Sequence, residues 1–313
     1  MSRRIVITTD YLVPGDSVDR LLREHGLEPV YSPAGGKRAD DERRHLLTGA
    51  VGAIVSSEPI TRDMLAEAAD LQIIARSGVG YDSVDIAAAQ ELGIHVANTP
   101  GVNHHAVAEL ALALILNCAK HLSDVITGVR AGQWPRTAGT ELRDKTLGVI
   151  GYGPSGRAIA AIGAALGMHV IVGTSHPDTE AGPSIEFTDV DTTIAAADYL
   201  TLHARATGTP IIGADRLAAM KETAFIINTA RGSLIDESAL VAALEKKQIA
   251  GAALDVLDVE PMTSENPLRG FDNVWITSHV AGQTVEARER AGLAAAQAVI
   301  DVLDGKTPAG LIV

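Results

Sequence analysis

Residues 148–156 read GVIGYGPSG, a glycine-rich loop that follows a short apolar strand and precedes the helical run RAIAAIGAALG. In this context the spacing of Gly151, Gly153 and Gly156 predicts a dinucleotide-binding loop. The first glycine permits a tight turn, the second admits a pyrophosphate close to the backbone, and the third lets the helix pack on the strand. The helix start adds amide donors and a positive dipole end. A tight turn that binds nothing is the alternative interpretation.

Short β-branched runs alternate with alanine- and leucine-rich helical runs along almost the whole chain. This alternation is typical of βα units, which build parallel sheets. A first series runs from IVIT near the N-terminus to HVAN, and a second series begins at TLGVIGYG and ends at VWITSHV. The sequence therefore predicts an α/β protein with two doubly wound parallel sheets.

We expect the second sheet to be inserted within the domain of the first. A strand ends in the turn residues NTPG at 98–101, before a long apolar helix. A last helix and the tail TPAGLIV follow the second sheet, and we expect this tail to return to the first domain. The predicted domains are a split flavodoxin-like substrate domain, residues 1–99 and 287–313, and a Rossmann dinucleotide-binding domain, residues 100–286.

The composition argues against several classes of partner. The 313 residues are 46% hydrophobic and 21% charged, which is typical of globular domains with their own cores. A formal net charge of -13 argues against nucleic acid, since phosphate binding draws on clustered Lys and Arg. Cys118 is the one cysteine, so no intrachain disulfide is possible and we expect a cytoplasmic protein. Its apolar neighbours predict a small core residue, and a reactive thiol is the alternative. No apolar run approaches the roughly 20 residues of a membrane span.

Three polar residues follow strands of the second series: Arg231 after AFIINTA, Glu260 beyond AGAALDV, and His279 after VWITS. Ligands of an open parallel sheet bind beyond the carboxyl ends of its strands, so we expect these residues to converge. Arg231 can hold a carboxylate with its planar fork, and His279 can protonate a carbonyl oxygen as hydride arrives. Glu260 would orient the imidazole. Together they suit the reduction of a 2-keto acid, although each alone has an ordinary structural explanation.

Further residues at these strand ends are predicted to line a cofactor crevice. Asp255 could accept a hydrogen bond from a nicotinamide carboxamide. His203 ends the strand YLTLHA, where a simple capping role is the alternative. No metal site is expected. The predicted cofactor contacts of the glycine loop and the strand ends are Gly151, Gly153, Pro154, Ser155, Gly156, His203, Thr229, Ala230, Asp255 and Gly282.

The second strand of the nucleotide-binding unit ends without an acid. Residues 167–178 read GMHVIVGTSHPD, with Thr174, Ser175 and His176 where NAD-specific proteins place an Asp or Glu that repels a 2′-phosphate. Hydroxyls and an imidazole can instead donate hydrogen bonds to that phosphate. We therefore predict NADP(H) as the preferred cofactor over NAD(H), with Arg205 as a second contact. A neutral turn with little discrimination is the alternative.

Longer stretches of the chain resemble the D-isomer-specific 2-hydroxyacid dehydrogenases, most closely the short-form D-3-phosphoglycerate dehydrogenases. They lie between about residues 74 and 290 and read RSGVGYDSVD, NTPGVNHHAVAE, GTELRDKTLGVIGYGPSG, INTARGSLIDESALVAALE, AGAALDVLDVEP and SHVAG. The resemblance implies a split substrate domain, a Rossmann domain, a hydride-transfer cleft between them and a homodimer. It implies the same catalytic roles for Arg231, Glu260 and His279, of which Arg231 and His279 also bind substrate.

The resemblance also implies a substrate site. Three consecutive residues are expected to meet the substrate carboxylate and the nicotinamide through their backbone: Ser77, Gly78 and Val79. Arg76 and Arg136 stand where the family places arginines that face a substrate phosphate, but Ser56 replaces a further arginine. This departure weakens the case for 3-phosphoglycerate, whereas another phosphorylated or phosphonylated 2-keto acid remains compatible. Surface salt bridges are the alternative for both arginines.

Two other functions remain open on the same fold. Corepressors of the C-terminal-binding-protein type sense a cofactor and retain the Arg, Glu and His, so these three residues do not exclude a binding protein. Partner capture that depends on cofactor, without turnover, would favour that function. Oxidation of formate or phosphite is the third possibility, and the SHVAG stretch fits it less well than hydroxyacid chemistry.

Overall fold

The computed structural model describes residues 3–33, 38–178, 182 and 184–313. By its internal contacts the chain divides into two compact units, Met1–Asn103 with Gly282–Val313 and His104–Ala281. Each unit is built on a sheet in which every strand is parallel to its neighbours within the described ranges. The predicted α/β fold with two parallel sheets is therefore confirmed.

Strands and helices alternate along both units. The first unit holds β1 (Arg4–Ile7), α1 (Ser17–Glu24), β2 (Glu28–Tyr31), α2 (Asp40–Arg44), β3 (Gly52–Val55), α3 (Arg62–Ala66), β4 (Ile73–Arg76), α4 (Ile86–Glu91) and β5 (His95–Ala97). The second unit holds α5 (His104–Lys120), α6 (Leu122–Arg130), β6 (Thr146–Ile150), α7 (Pro154–Ala165), β7 (His169–Gly173), β8 (Ile185–Thr188), α8 (Val190–Ala196), β9 (Tyr199–Leu202), α9 (Ala214–Ala219), β10 (Phe225–Asn228), α10 (Glu237–Glu245), β11 (Gly251–Leu254) and β12 (Val274–Ile276). Helix α11 (Val285–Leu303) returns to the first unit.

The first unit has a five-stranded sheet in the order β2-β1-β3-β4-β5. Helix α11 packs against α1, β3 and β4 through small apolar residues, of which Ala295 and Val299 are fully buried. The C-terminal tail pairs with β5, because the N–H of Val96 donates to the carbonyl of Val313 at 3.0 Å. The tail therefore returns to the first unit, as the sequence analysis expects.

The second unit has a seven-stranded sheet in the order β12-β11-β10-β9-β6-β7-β8. The first strand of this unit, β6, lies inside the sheet: β7 and β8 extend the sheet on one side of it, and β9 to β12 extend it on the other. Helix α5 packs against α7 and against β10 and β11. Cys118 of α5 is 1% exposed, and burial raises its pKa to about 12, which confirms the predicted core thiol.

The apolar helices α5 and α6 were compared with the length and composition of a membrane span. Within the described ranges, no single helix is long and apolar enough to cross a bilayer. Helices α5 and α6 together have the length and apolar composition of such a helix, but the chain bends by 68° between them.

Two short segments lie in a different unit from the one predicted. The sequence pattern assigns residues 100–103 and 282–286 to the Rossmann domain, whereas their contacts join them to the first unit. Arg290 of α11 donates from Nε to the carbonyl of Val102 at 2.8 Å. A Cβ added at Gly282 would lie 2.7 Å from Nδ2 of Asn103. These contacts join the two segments to each other within the first unit. The sequence prediction places the boundary at turn residues, and a turn does not reveal such long-range contacts.

Candidate active site

The glycine-rich loop joins β6 to α7, and its glycines meet different demands. Gly151 has a φ of +93°, and an added Cβ would lie 2.7 Å from the backbone N of Ala204. A Cβ at Gly156 would lie 2.2 Å from the carbonyl oxygen of Gly151. An added Cβ at Gly153 would meet no atom within 4 Å. The outer glycines are therefore required by the protein's own packing, and the middle one leaves space for a ligand.

Helix α7 begins directly at this space. Gly153 is its N-cap, and Pro154 is its first residue, where the missing N–H removes no helical hydrogen bond. Ser155 and Gly156 keep the backbone N–H groups of the first turn. An open cradle beside Gly153, at the positive end of a 12-residue helix, fits the pyrophosphate of a dinucleotide cofactor.

The register of the sheet aligns the strand ends in one row. Leu202 pairs with Ile150 and with Asn228, and Leu254 pairs with Asn228 and with Ile276. The residues that follow these strands therefore lie side by side along the carboxyl edge of one sheet. That row carries the predicted positions Gly151, His203, Thr229 and Asp255 and the start of the segment that leads to His279.

His279 and Glu260 form a hydrogen-bonded pair at this edge. Nδ1 of His279 lies 2.8 Å from Oε2 of Glu260, and Oε1 of Glu260 accepts from the N–H of Leu257 at 2.9 Å. Half of the His279 side chain is exposed. The backbone N–H of Leu257 thus fixes the Glu260 carboxylate, and the carboxylate orients the imidazole. This arrangement leaves Nε2 of His279 for another partner. The structure brings together the predicted proton donor and its orienting residue.

Asp255 holds the loop that carries His279. This residue is 1% exposed. Its carboxylate accepts hydrogen bonds from the hydroxyl of Thr277 at 2.5 Å and from the backbone N–H groups of Val280 and Ala281 at 2.9 and 2.8 Å. His279 lies between these donors with a φ of +56°, a conformation that costs energy outside glycine. The structure therefore gives Asp255 a role in loop geometry, and the carboxamide contact stays a prediction.

Arg231 is placed by a buried asparagine that the sequence analysis missed. Asn228, at the end of β10, is 0% exposed. Its side chain donates to the carbonyl of Arg231 at 2.8 Å and accepts from the N–H of Ala230 at 3.0 Å. A Cβ at Gly232 would lie 2.0 Å from the carbonyl of Leu257, so this turn packs directly on the segment fixed by Glu260. A polar residue at the end of an apolar strand is the signal that could have revealed Asn228.

His203, the residue after β9, lies next to the glycine loop. Its N–H donates to the carbonyl of Ile150 at 2.7 Å, and Nε2 lies 2.9 Å from the hydroxyl of Thr201. Nδ1 is buried without a hydrogen-bond partner among the described residues. Burial lowers the pKa of His203 to about 4, so the ring is neutral at physiological pH. The predicted lining of the cofactor crevice by this ring remains a prediction.

Neutral residues follow β7, and the first acid after them, Asp178, pairs with an arginine of α7. His176 donates from its N–H to the hydroxyl of Thr174 at 3.2 Å, and its Nδ1 lies 2.8 Å from the hydroxyl of Ser175. Asp178 forms an ion pair with Arg157, which follows Gly156 in α7. No local pattern in the sequence predicts this pair. Arg205 is exposed and makes no side-chain hydrogen bond or ion pair within the described ranges.

The predicted substrate-contact turn lies in the first unit and is held by its neighbours. Gly78 donates from its N–H to the hydroxyl of Thr99 at 2.9 Å, and Asn98 donates from Nδ2 to the carbonyl of Val79 at 2.7 Å. Ser77 is 5% exposed. Its N–H donates to the carbonyl of Val55 at 2.8 Å, which places Ser77 beside the end of β3, where Ser56 follows.

The two predicted phosphate-facing arginines belong to different units. Arg76 ends β4 and donates from Nη1 to the carbonyl of Ser77 at 3.0 Å. Arg136 lies in the second unit, where its side chain is exposed. Neither observation assigns a phosphate to them.

Comparison with known proteins gives a consistent result. Residues 112–281 match the family model described as D-isomer specific 2-hydroxyacid dehydrogenase, NAD binding domain. Hydroxypyruvate reductase of Thermotoga maritima is 39% identical over 76% of this chain and 79% of its own. D-3-phosphoglycerate dehydrogenase of Methanocaldococcus jannaschii is 39% identical over 96% of this chain and 58% of its own. An acyclic imino acid reductase in complex with NADPH and D-Arg has a similar structure, with a TM-score of 0.85 at 29% identity over 99% of this chain and 100% of its own.

Proposed function

Because the chain belongs to the D-isomer specific 2-hydroxyacid dehydrogenase family, we propose that it interconverts a 2-keto acid and a D-2-hydroxy acid with a nicotinamide cofactor. The hydrogen bond of 2.8 Å between His279 and Glu260, on the same sheet edge as the glycine loop, carries this proposal. A bound nicotinamide supplies the hydride, or accepts it in the reverse direction.

Each catalytic side chain has one task in this proposal. Arg231 holds the substrate carboxylate and polarises the adjacent carbonyl through its planar fork. His279 donates a proton from Nε2 to the carbonyl oxygen and recovers it in the reverse reaction. Glu260 accepts a hydrogen bond from Nδ1 and so holds the ring in one orientation, with Nε2 left for the substrate. Asp255 keeps the His279 loop in its left-handed conformation.

Removal of the proton donor tests the mechanism. His279→Ala is expected to lower kcat with glyoxylate or hydroxypyruvate by about 100- to 10,000-fold, because general acid catalysis is lost. His169→Gln is the matched control, since His169 is exposed at the start of β7. Steady-state NAD(P)H oxidation measures both variants. Unchanged turnover in His279→Ala would contradict the mechanism.

We further propose NADP(H) as the preferred cofactor. The neutral residues Thr174, Ser175 and His176 support it, since none repels a 2′-phosphate and each can donate a hydrogen bond. The structurally similar imino acid reductase is in complex with NADPH. We expect kcat/KM for NADPH to exceed that for NADH, and Arg205→Ala to reduce this ratio if Arg205 is the second contact. A strong preference for NADH would refute the proposal.

A further inference from the structure

Tyr11 contacts the predicted substrate turn of the first unit. Its hydroxyl lies 2.7 Å from Oγ of Ser77, and its ring lies beneath the guanidinium of Arg288, with Cζ 4.9 Å from the ring centroid. Tyr11 follows β1, Ser77 follows β4, and Arg288 lies in the first turns of α11. Three segments far apart in sequence therefore meet at one point beside the backbone expected to bind a substrate carboxylate.

The orientation of Arg288 is fixed from one side. Its Nε donates to Oε1 of Gln283 at 2.8 Å. Within the described ranges no carboxylate pairs with Arg288, and no hydrogen bond is made by its terminal nitrogens. A guanidinium stacked on an aromatic ring keeps its in-plane donors available for a planar or tetrahedral anion.

The charge around Tyr11 is positive. The charges of Arg76 and Arg288 favour the ionised form of its hydroxyl, and the charge of Asp10 opposes it. Burial raises the pKa of Tyr11, so the hydroxyl keeps its proton and can donate a hydrogen bond. A guanidinium and a hydroxyl donor therefore lie together here, and this pair of groups suits an anion.

We propose that Tyr11 and Arg288 form a subsite for a second anionic group of the 2-keto acid. This inference rests on the proposed function, because it takes the 2-keto acid as substrate and the turn from Ser77 to Val79 as the part of the first unit that meets its first carboxylate. The substrate class is a short 2-keto acid that carries a phosphate, phosphonate or second carboxylate beyond C2. Arg288 supplies the charge, and Tyr11 supplies a directional hydrogen bond.

The test compares substrates that carry two anionic groups, called dianions here, with substrates that carry only the carboxylate. 3-Phosphohydroxypyruvate, phosphonopyruvate and oxaloacetate carry the second anion, and glyoxylate and hydroxypyruvate lack it. In Arg288→Gln, kcat/KM for the preferred dianion is expected to fall about 10- to 100-fold, mainly through KM, while glyoxylate changes by less than about twofold. Tyr11→Phe is expected to lower the same dianion's kcat/KM about 3- to 10-fold. The dianion with the highest wild-type kcat/KM identifies the anionic group.

Two further variants separate this role from a structural one. Arg288→Lys keeps the positive charge and is expected to recover part of the dianion's kcat/KM. Arg20→Gln removes an exposed arginine of α1 in the same unit and should behave as wild type. An equal loss for both substrate classes in Arg288→Gln, or a wild-type preference for glyoxylate over every dianion, would overturn the subsite alone. Absence of turnover with every 2-keto acid would overturn the proposed function and this inference with it.

Discussion

At the scale of single residues, Asp255 connects burial to catalysis. Its carboxylate accepts three hydrogen bonds from the segment between Thr277 and Ala281. In Asp255→Asn one backbone N–H would face an amide NH₂, so a donor is left unsatisfied at a cost of about 1–3 kcal/mol. We expect a lower Tm and a kcat reduced about 10- to 100-fold, because His279 is no longer held. Thermal unfolding and steady-state kinetics measure both. Wild-type Tm and kcat in this variant would contradict the loop-holding role.

His203 makes the stability of the protein depend on pH. Its folded-state pKa of about 4 lies below the ordinary 6.5, so the unfolded chain binds more protons between these values. The stability from the neutral ring is therefore present above pH 6.5 and is lost as the pH falls toward 4. We expect protonation of His203 to lower the free energy of unfolding by up to about 3 kcal/mol between pH 6.5 and 4. In His203→Gln this free energy should fall less steeply over the same range. Urea unfolding across the window, with the exposed His169→Gln as control, measures the slope; equal slopes in His203→Gln and wild type would contradict the assignment.

At the scale of elements, the glycine loop separates packing from ligand binding. Gly153→Ala adds a methyl group to open space at a φ of -75°, which alanine tolerates, so we expect an unchanged Tm. The same methyl group occupies the predicted pyrophosphate site, so the affinity for NADPH should fall by tenfold or more, about 1.4 kcal/mol. Fluorescence titration of NADPH measures the affinity.

Gly156→Ala is the matched comparison for that prediction. Its Cβ would lie 2.2 Å from the carbonyl oxygen of Gly151, so this variant should lose stability as well as affinity. If Gly153→Ala bound NADPH as tightly as wild type, the middle glycine would not border the pyrophosphate. If Gly156→Ala kept the wild-type Tm, the close contact between Gly156 and the carbonyl of Gly151 would not contribute to stability.

The sequence predicts elements better than it predicts the contacts between them. The apolar runs of β9 and β11 and the glycine spacing are local patterns, so the parallel sheets and the loop could be derived from the chain alone. The roles of Tyr11, Asn228 and Arg157 could not, because each depends on a partner that only tertiary folding brings near. The same limit explains the domain boundaries, since the contact between Gly282 and Asn103 has no local signature.

At the scale of the whole molecule, helix α6 presents an exposed apolar face, and we propose this face as the interface of the homodimer that the family resemblance implies. Leu122, Ile126 and Val129 recur at helical spacing and are 43%, 49% and 45% exposed, and Trp134 beyond them is 80% exposed. Ile126→Asp should therefore convert a dimer into a monomer, because a buried charge opposes association. Leu92→Asp is the control, since Leu92 is 45% exposed on α4 in the other unit. Sedimentation equilibrium measures the mass. A monomeric wild-type protein, or an unchanged dimer in Ile126→Asp, would show that this face is not the interface.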